Sequence, residues 1–279
     1  MKPVNLFSKR VVKNLLKKHD ARALKRFGQN FLIDKSVVKK TIEAAELNSN
    51  DIVLEIGPGI GTLTWEIAQK AKKVLAIEKD LKMVEILKET VKGFKNIEIV
   101  NKDILRFSGN LKNYKIVANL PFYLTAPVIR KFLESEFQPK EMVLIIQKEV
   151  GQRICSKPPD MNLLAVSIQF YAKPEIMSFV SKKSFWPKPK VDSAIIKIVP
   201  KKLLIKTDVD LFFKIVKAGF SQPRKQIINN LSRLDFSSGK TNREIVKTWL
   251  LKNGIQPTQR AETLNIKDWL KLTKNYRIK

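Results

Sequence analysis

The chain has 279 residues, of which 54 are lysine or arginine and 26 are aspartate or glutamate, so that its formal net charge is +28 at pH 7. This excess favours a polyanionic partner, with nucleic acid ahead of a membrane surface. No run of about 18 apolar residues is present, which argues against a membrane span. The single cysteine, Cys155, and the single histidine, His19, leave almost nothing for a disulfide, a zinc site or a serine–histidine–aspartate triad. We therefore expect a soluble, cytoplasmic protein without a metal.

The predicted elements begin with a basic, amphipathic stretch over residues 1–24. From 51 to 148, short apolar runs alternate with segments whose apolar residues recur at helical spacing. Apolar strands that are separated by helices indicate a parallel sheet covered on both faces. The strand candidates are residues 52–56, 74–77, 97–100, 116–118 and 142–146.

The pattern changes after residue 150. A helix is predicted over 163–171, and a basic loop at 182–190 separates two further strands, over 176–180 and 194–199. Apolar stripes near 211–220 and 245–250 predict a small helical domain. We expect three parts, which are a basic N-terminal extension (1–24), an α/β domain (25–200) and a C-terminal helical domain (201–279).

Three glycines at alternate positions, Gly57, Gly59 and Gly61, follow the first strand. Glycines lack Cβ atoms, so that the backbone can approach a ligand closely. A dinucleotide fingerprint requires its third glycine at position 62, which is threonine, and the lysine of a Walker A loop is missing. The loop therefore gives little support for a pyrophosphate or triphosphate ligand.

Two acidic residues stand at the ends of the next two strands. Glu78 lies 21 residues after Gly57, where a carboxylate can accept hydrogen bonds from both ribose hydroxyls, and Asp103 could accept one from an adenine amino group. A ligand with adenine and ribose but no phosphate fits this set. S-adenosylmethionine (SAM), which is a cation, is the obvious candidate. Each acid by itself could instead be a helix cap or a charge near one.

The fourth strand runs into Asn119-Leu120-Pro121-Phe122-Tyr123. Asparagine and proline are typical of a turn. Beside the glycine loop and the two acids, the same stretch could also hold a planar group. Tyr123 has no predicted role, and we expect it to pack against the sheet.

These motifs together resemble those of class I SAM-dependent adenine-N6 methyltransferases, and more narrowly the ribosomal RNA adenine dimethyltransferase family. Residues 25–32, 147–150, 185–194 and 260–264 also resemble family motifs, so that the likeness covers about residues 15 to 272. It implies a Rossmann-like α/β catalytic domain with a mostly parallel seven-stranded sheet, and a small C-terminal α-helical domain. The motifs resemble the bacterial small-subunit branch, which implies dimethylation of two adjacent adenosines near the 3′ end of 16S rRNA during ribosome biogenesis.

The resemblance also implies a role for single residues. Asn30 and Leu32 would line the SAM pocket, Gly57 would contact the methionine part, Glu78 the ribose and Asp103 the adenine amino group. The full predicted cofactor set is Asn30, Leu32, Gly57, Gly59, Gly61, Glu78, Asp103 and Asn119. The chain departs from the family pattern at Phe122, where tyrosine is usual, and at Pro223, which replaces the first cation of a tract that continues as Arg224 and Lys225.

The predicted catalytic residues are Asn119, Leu120, Pro121 and Phe122. Adenine N6 is a poor nucleophile because its lone pair is delocalised, whereas the methyl donor is already activated by its positive sulfur. We expect the Asn119 side-chain oxygen and the Leu120 carbonyl to accept the two N6 hydrogens, Pro121 to stiffen the turn and Phe122 to stack on the base. Such catalysis by orientation and electrostatics needs neither histidine nor cysteine.

RNA contacts are predicted where cations cluster. The loop at 182–190 has four cations and no acid around Phe185 and Trp186, although these rings could equally hold the loop against the sheet. A second basic stretch runs from Lys9 to Arg26 with only Asp20 opposing, and a solvated helix face is its alternative. The predicted RNA-binding residues are Lys25, Arg26, Lys182, Lys183, Lys188, Lys190, Arg224 and Lys225, and Arg233 and Lys240 extend the set.

Three other functions compete with this interpretation. One is a 23S rRNA adenine-N6 methyltransferase of the macrolide-resistance type, which shares the fold and the motif at 119–122. Another is an RNA-binding or assembly factor without catalysis, and a third is an NAD-dependent enzyme, which Thr62 and the basic surface disfavour. The partner would be 16S rRNA in the small subunit or its precursor, and we expect a monomer.

Overall fold

The computed structural model describes residues 4–24, 28–201, 208–234 and 243–276. The chain forms two compact units, one made of Met1–Gly151 and Lys173–Pro200, the other of Gln152–Ala172 and Lys201–Lys279. No helix in the described ranges is long and apolar enough to cross a lipid bilayer.

The helices and strands of the described chain are, in order, α1 (Lys9–Lys18), β1 (Phe31–Leu32), α2 (Lys35–Ala44), β2 (Ile52–Ile56), α3 (Thr62–Ala68), β3 (Lys73–Glu78), α4 (Leu81–Thr90), β4 (Ile97–Asn101), β5 (Tyr114–Asn119), α5 (Thr125–Leu133), β6 (Met142–Gln147), α6 (Lys148–Ile154), α7 (Leu163–Tyr171), β7 (Ala172–Val180), β8 (Phe185–Trp186), β9 (Ser193–Pro200), α8 (Val209–Gly219), α9 (Ile227–Leu231), α10 (Arg243–Lys252) and α11 (Ile266–Lys274). Every strand predicted from apolar runs is present, within a few residues of its predicted bounds.

A seven-stranded sheet forms the centre of the first unit, with the strand order β4-β3-β2-β5-β6-β9-β7. The neighbours from β4 to β6 pair in parallel, whereas β9 runs antiparallel to β6. The strand order reverses between β2 and β5, and ligands bind at such a switch point of an open α/β sheet. The carboxyl ends of β2, β3 and β5 therefore meet at one edge of the sheet.

Apolar side chains cover both faces of this sheet, as continuous apolar strands require. Helices α2 and α3 pack with β2, β3, β5 and β6 in one cluster that includes Val38, Ile67 and Val117. Met83 and Ile86 of α4 belong to a second cluster, which also contains the buried face of α1. The basic N-terminal stretch thus forms a helix that is packed on the α/β unit.

The second unit has its own core, in which Phe212, Trp249 and Trp269 are buried. Phe170 of α7 packs in the same cluster, and its ring centroid lies 4.3 Å from that of Phe212. Residues 152–172 therefore belong to the helical unit, although the sequence places them in the α/β domain. The sequence does not show which unit their apolar residues pack against, because the residues that cover them follow about 40 positions later in the chain.

Candidate active site

A cavity opens at the carboxyl ends of β2, β3 and β5, and it encloses about 1070 Å³ including its mouth. Six of the eight predicted cofactor residues and all four predicted catalytic residues line it. The predicted residues in its wall are Asn30, Leu32, Gly57, Gly59, Glu78, Asn119, Leu120, Pro121 and Phe122.

The glycine loop forms one wall of the cavity. Gly57 has a φ of +65°, and a Cβ built on it would meet no atom within 4 Å, so that the space beside it is open to a ligand. The backbone N–H of Gly57 donates to the Ile77 carbonyl, 2.9 Å away, which ties the loop to the end of β3. The loop is therefore held in place while its ligand-facing side stays clear.

Glu78 closes β3 beneath this loop. Its Oε2 accepts a hydrogen bond from the Gly59 N–H at 3.1 Å, and its Oε1 accepts one from the Asp80 N–H at 2.9 Å. Burial raises the pKa of the Glu78 carboxyl, and the hydrogen bonds from the backbone oppose that rise. A buried carboxylate with a fixed rotamer at this position suits a ligand that brings hydroxyl donors or positive charge.

Asn119 ends β5 on the opposite side of the cavity. Its Nδ2 donates to the Asn30 carbonyl at 3.0 Å, and the Asn30 Nδ2 in turn donates to the Gly28 carbonyl at 3.0 Å. The Leu120 N–H donates to the Ile145 carbonyl at 3.1 Å, which fixes the turn against β6. Because the amide nitrogen is engaged, the Asn119 Oδ1 is left as an acceptor within the cavity wall.

Residues 20–277 of the chain match the model of the family described as ribosomal RNA adenine dimethylase. The chain belongs to this family. This match confirms the family that the sequence motifs indicated.

Two relatives with about 40% sequence identity match nearly the whole chain. It is 41% identical over 273 residues to the ribosomal RNA small subunit methyltransferase A of Dehalococcoides mccartyi, covering 95% of this chain and 92% of that one. It is 38% identical over 274 residues to the protein of the same name from Bacillus mycoides, covering 94% of each.

Two solved structures share its architecture at 27% sequence identity. A dimethyladenosine transferase from Plasmodium falciparum superposes with a TM-score of 0.76, covering 86% of this chain and 95% of that one. The 23S rRNA methyltransferase ErmE superposes with a TM-score of 0.73, covering 88% and 99%. The predicted class I methyltransferase fold, with its mostly parallel seven-stranded sheet, is confirmed.

One acid of the cavity was missed by the sequence interpretation. Glu55 in β2 lines the cavity, is 1% exposed, and its Oε2 has no hydrogen-bond partner in the described structure. Burial raises the pKa of its carboxyl to about 8, and the nearby Glu78 adds to the rise. The signal was present in the sequence, since Glu55 is an acid inside an otherwise apolar strand. In this family member, two buried acids thus share one site.

Two predicted cofactor residues lie outside the cavity wall. Gly61 caps α3 with a φ of +92°, and a Cβ there would lie 2.9 Å from both Leu87 Cδ1 and Thr90 Oγ1, so that its position serves packing. Asp103 accepts a hydrogen bond from the Leu105 N–H at 3.0 Å and pairs with Lys79 at 2.8 Å. The Lys79 hydrogen bond lowers the pKa of Asp103. Its neighbours Lys102 and Ile104, rather than Asp103 itself, line the cavity.

Among the aromatic residues, Tyr123 departs from its prediction, whereas Phe185 and Trp186 follow the alternative in which their rings hold the loop. Tyr123 does not pack against the sheet, because it is 53% exposed and lines the cavity. Phe185 is 4% exposed and also lines the cavity, and β8 pairs antiparallel with β1. The Trp186 ring stacks on Phe31, with 6.4 Å between their centroids. Phe185 and Trp186 therefore hold their loop in place.

The predicted RNA-binding cations that the structure describes lie in two places. Lys183, Lys188 and Lys190 are exposed on the loop after β7, while Lys182 is half-buried and its N–H donates to Asp192 at 2.9 Å. Arg224, Lys225 and Arg233 are exposed in the second unit. Lys25, Arg26 and Lys240 lie outside the described residues.

Proposed function

We propose that this protein transfers methyl groups from SAM to N6 of two adjacent adenosines near the 3′ end of 16S rRNA, as part of small-subunit biogenesis. One observation supports this most directly, which is the hydrogen bond from Asn119 Nδ2 to the Asn30 carbonyl. It directs an amide oxygen into a cavity that a glycine loop and buried acids also line. The names of the relatives that are about 40% identical agree with the substrate.

The cavity fits SAM by its chemistry. Gly57 leaves open space beside the loop, where a methionine moiety would lie. Glu78 would accept hydrogen bonds from the ribose hydroxyls, and the unpartnered Oε2 of Glu55 adds a second acceptor to the site. When bound, SAM supplies a methyl group on a positively charged sulfur.

The cofactor site can be tested at Glu78. We expect Glu78→Gln to weaken SAM binding at least tenfold by calorimetry, because the neutral amide cannot accept at both oxygens, and to leave RNA affinity within twofold. Unchanged SAM affinity would refute the assignment.

The transfer itself requires orientation more than a base. The Asn119 Oδ1 and the Leu120 carbonyl would accept the two N6 hydrogens, which localises the nitrogen lone pair. Within the described residues, the structure shows no donor to the Leu120 carbonyl. The N6 lone pair would then take up the methyl group that SAM supplies, the electrons of the broken C–S bond would return to sulfur, and the surplus proton would leave N6 for solvent.

The target base must be unpaired or flipped out to reach this cavity. Phe122 is half-buried in the wall beside Asn119, where its ring could stack on the adenine. Exposed Tyr123 follows at the mouth and could contact the base or its sugar. Because this chain has Phe122 where the family usually has tyrosine, it lacks the hydrogen bond of a phenol but keeps a ring that can stack.

The decisive experiment compares substrates. Purified protein and labelled SAM are incubated with unmethylated 30S particles, 50S particles and naked 16S rRNA, and the modified nucleosides are identified by mass spectrometry. We expect N6,N6-dimethyladenosine at adjacent positions near the 3′ end of 16S rRNA. Label in 23S rRNA would instead support the activity named for ErmE, whose fold is nearly as similar to this chain as that of the Plasmodium falciparum enzyme. Binding without transfer on every substrate would support an assembly factor.

A further inference from the structure

Helix α1 carries five cations and no acid, and lies outside residues 20–277, which match the family model. All five charged side chains are exposed, and they are Lys9, Arg10, Lys13, Lys17 and Lys18. The catalytic site uses none of them. The question is whether they form only a solvated face or a binding surface.

The apolar face of α1 is already occupied by the protein itself. Val12, Leu15 and Leu16 are at most 6% exposed and share a core cluster with Phe31 and Ile60. An amphipathic helix that inserts into a membrane or into a groove of another protein needs this face free. Only the cationic face of α1 is available to a partner, and it suits a polyanion.

Local helix energetics do not account for the cations in the first turn of α1, whereas Lys17 and Lys18 lie in the last turn, where the helix dipole favours a cation. Cations near the first turn oppose the helix dipole, and Lys9 and Arg10 stand there without an acid. Lys18 pairs with Glu89 at 2.6 Å. Among the residues that the structure describes, Lys9, Arg10, Lys13 and Lys17 form no ion pair. Residues that break a local rule without a structural gain are typical of functional surfaces.

The helix lies beside a wall of the active-site cavity. The Lys13 Nζ is 5.9 Å from the centroid of the Trp186 ring, and Trp186 pairs with Phe31, which lines the cavity. Trp186 belongs to the loop that carries Lys183, Lys188 and Lys190. Lys13 of α1 is therefore in contact with the loop that carries these cations.

We propose that the outward face of α1 is an RNA-binding surface that contacts the phosphates of the rRNA flanking the target adenosines. This proposal rests on the proposed function, since it extends the substrate contacts of the same site. It assigns to the N-terminal helix a role in substrate affinity. The chemistry of the methyl transfer stays with Asn119 and Leu120.

The test neutralises the four cations of α1 that form no ion pair with a described residue. Lys9→Gln, Arg10→Gln, Lys13→Gln and Lys17→Gln are combined in one variant, because glutamine keeps helix propensity. The matched control combines Lys70→Gln, Lys72→Gln, Lys95→Gln and Lys140→Gln, which are exposed residues in segments that lead into β3, β4 and β6, at the opposite edge of the sheet. Both variants lose four charges. Circular dichroism checks that both remain folded.

Affinity for a 16S rRNA 3′-end hairpin is measured by fluorescence anisotropy from 50 to 400 mM KCl. We expect the α1 variant to bind roughly 10–100-fold more weakly at low salt, with a log–log salt slope flatter by about 2–3, and the control to stay within threefold. In methylation assays on 30S particles, KM should rise while kcat changes less than twofold. SAM affinity should not change.

Equal losses in both variants would overturn the proposal, because they would show an effect of net charge alone. Normal affinity for naked RNA with weakened binding to 30S particles would also overturn it, and would indicate an acidic protein partner for α1. The proposed function fails separately, when the wild-type protein methylates no adenosine of 16S rRNA. The anisotropy comparison still decides the role of α1 in that case.

Discussion

At the scale of single residues, Asn119 shows how one side chain can hold a position and perform chemistry with different atoms. Its amide nitrogen is tied to the Asn30 carbonyl, and its oxygen remains in the cavity wall. The amide therefore cannot rotate without losing that bond. This arrangement presents an acceptor of fixed direction to an incoming amino group.

We expect Asn119→Ala to lower kcat by about 10²–10³-fold, by analogy with the loss of one fixed hydrogen-bonding group in other active sites. SAM affinity measured by calorimetry should change less than threefold. Asn119→Asp should also lose activity, because it places a carboxylate oxygen against the Asn30 carbonyl. Retained turnover of Asn119→Ala on RNA would rule out the proposed mechanism.

Glu55 makes the stability of the protein depend on pH. Its folded pKa of about 8 lies above the ordinary 4.5, so that the folded state binds this proton more tightly than the unfolded state. The resulting stability is fully present below about pH 4.5 and is lost as the pH rises through 8, at up to about 1.4 kcal/mol per pH unit. The raised pKa of Glu78 acts in the same direction.

Glu55→Gln should remove most of this dependence. We expect the wild-type Tm to fall between pH 5 and pH 8.5 by clearly more than that of the variant, so that the variant is the more stable protein at pH 8.5. Differential scanning calorimetry without SAM measures both curves. Parallel curves would mean that Glu55 ionises in the folded protein as easily as in water.

At the scale of elements, the glycine loop serves two purposes that its spacing does not distinguish. Gly57 leaves space for a ligand, whereas Gly61 lets the start of α3 approach α4 closely. The same distinction separates the two acids after β3 and β4. Glu78 lines the cavity, whereas Asp103 begins a short 3-10 turn and pairs with Lys79. One motif thus contains both ligand contacts and packing contacts.

Gly61→Ala should destabilise the protein by about 1–3 kcal/mol, because alanine is strained at a φ of +92° and its Cβ would meet Leu87 and Thr90. Urea denaturation monitored by circular dichroism measures the change. Gly93→Ala is the matched control, since a Cβ at Gly93 would meet no atom within 4 Å. Equal stability of the two variants would show that the contact between α3 and α4 tolerates the methyl group.

At the scale of the whole molecule, the sheet and the net charge perform separate tasks. The parallel strands bring residues 57, 78 and 119 to one edge, where the buried carboxyls of Glu55 and Glu78 face the ligand space. The net charge of +28 instead favours a polyanion, and among the described residues only two of its cations, Lys79 and Lys102, line that cavity. Cofactor and RNA binding should therefore respond differently to ionic strength.

We expect RNA affinity to fall at least tenfold between 50 and 200 mM KCl, because phosphate neutralisation releases counterions with a log–log slope of roughly −0.7 to −0.9 per phosphate. SAM affinity should change less than twofold over the same range. Anisotropy and calorimetry measure the two on one preparation. A salt-independent RNA affinity would mean that base contacts, and not the cationic surface, supply the binding energy.

The order of the seven strands of the large sheet, and several of the helices, could be predicted from the sequence alone, because apolar periodicity reports which faces must be buried. The sequence also determined that Gly57, Glu78 and Asn119 would meet, since the carboxyl ends of parallel strands share an edge. Its motifs were sufficient for the family. Its charge composition alone predicted a polyanionic partner, and that contact stays a prediction.

The role of each polar group became visible only in the folded chain. The burial of Glu55, the ion pair of Asp103, the exposure of Tyr123 and the place of residues 152–172 in the second unit depend on neighbours that are distant in the chain. A local pattern shows that a strand is apolar or that a turn is present. It does not show which groups will remove water from a carboxyl or occupy its oxygens, because those groups are brought together only when the chain has folded.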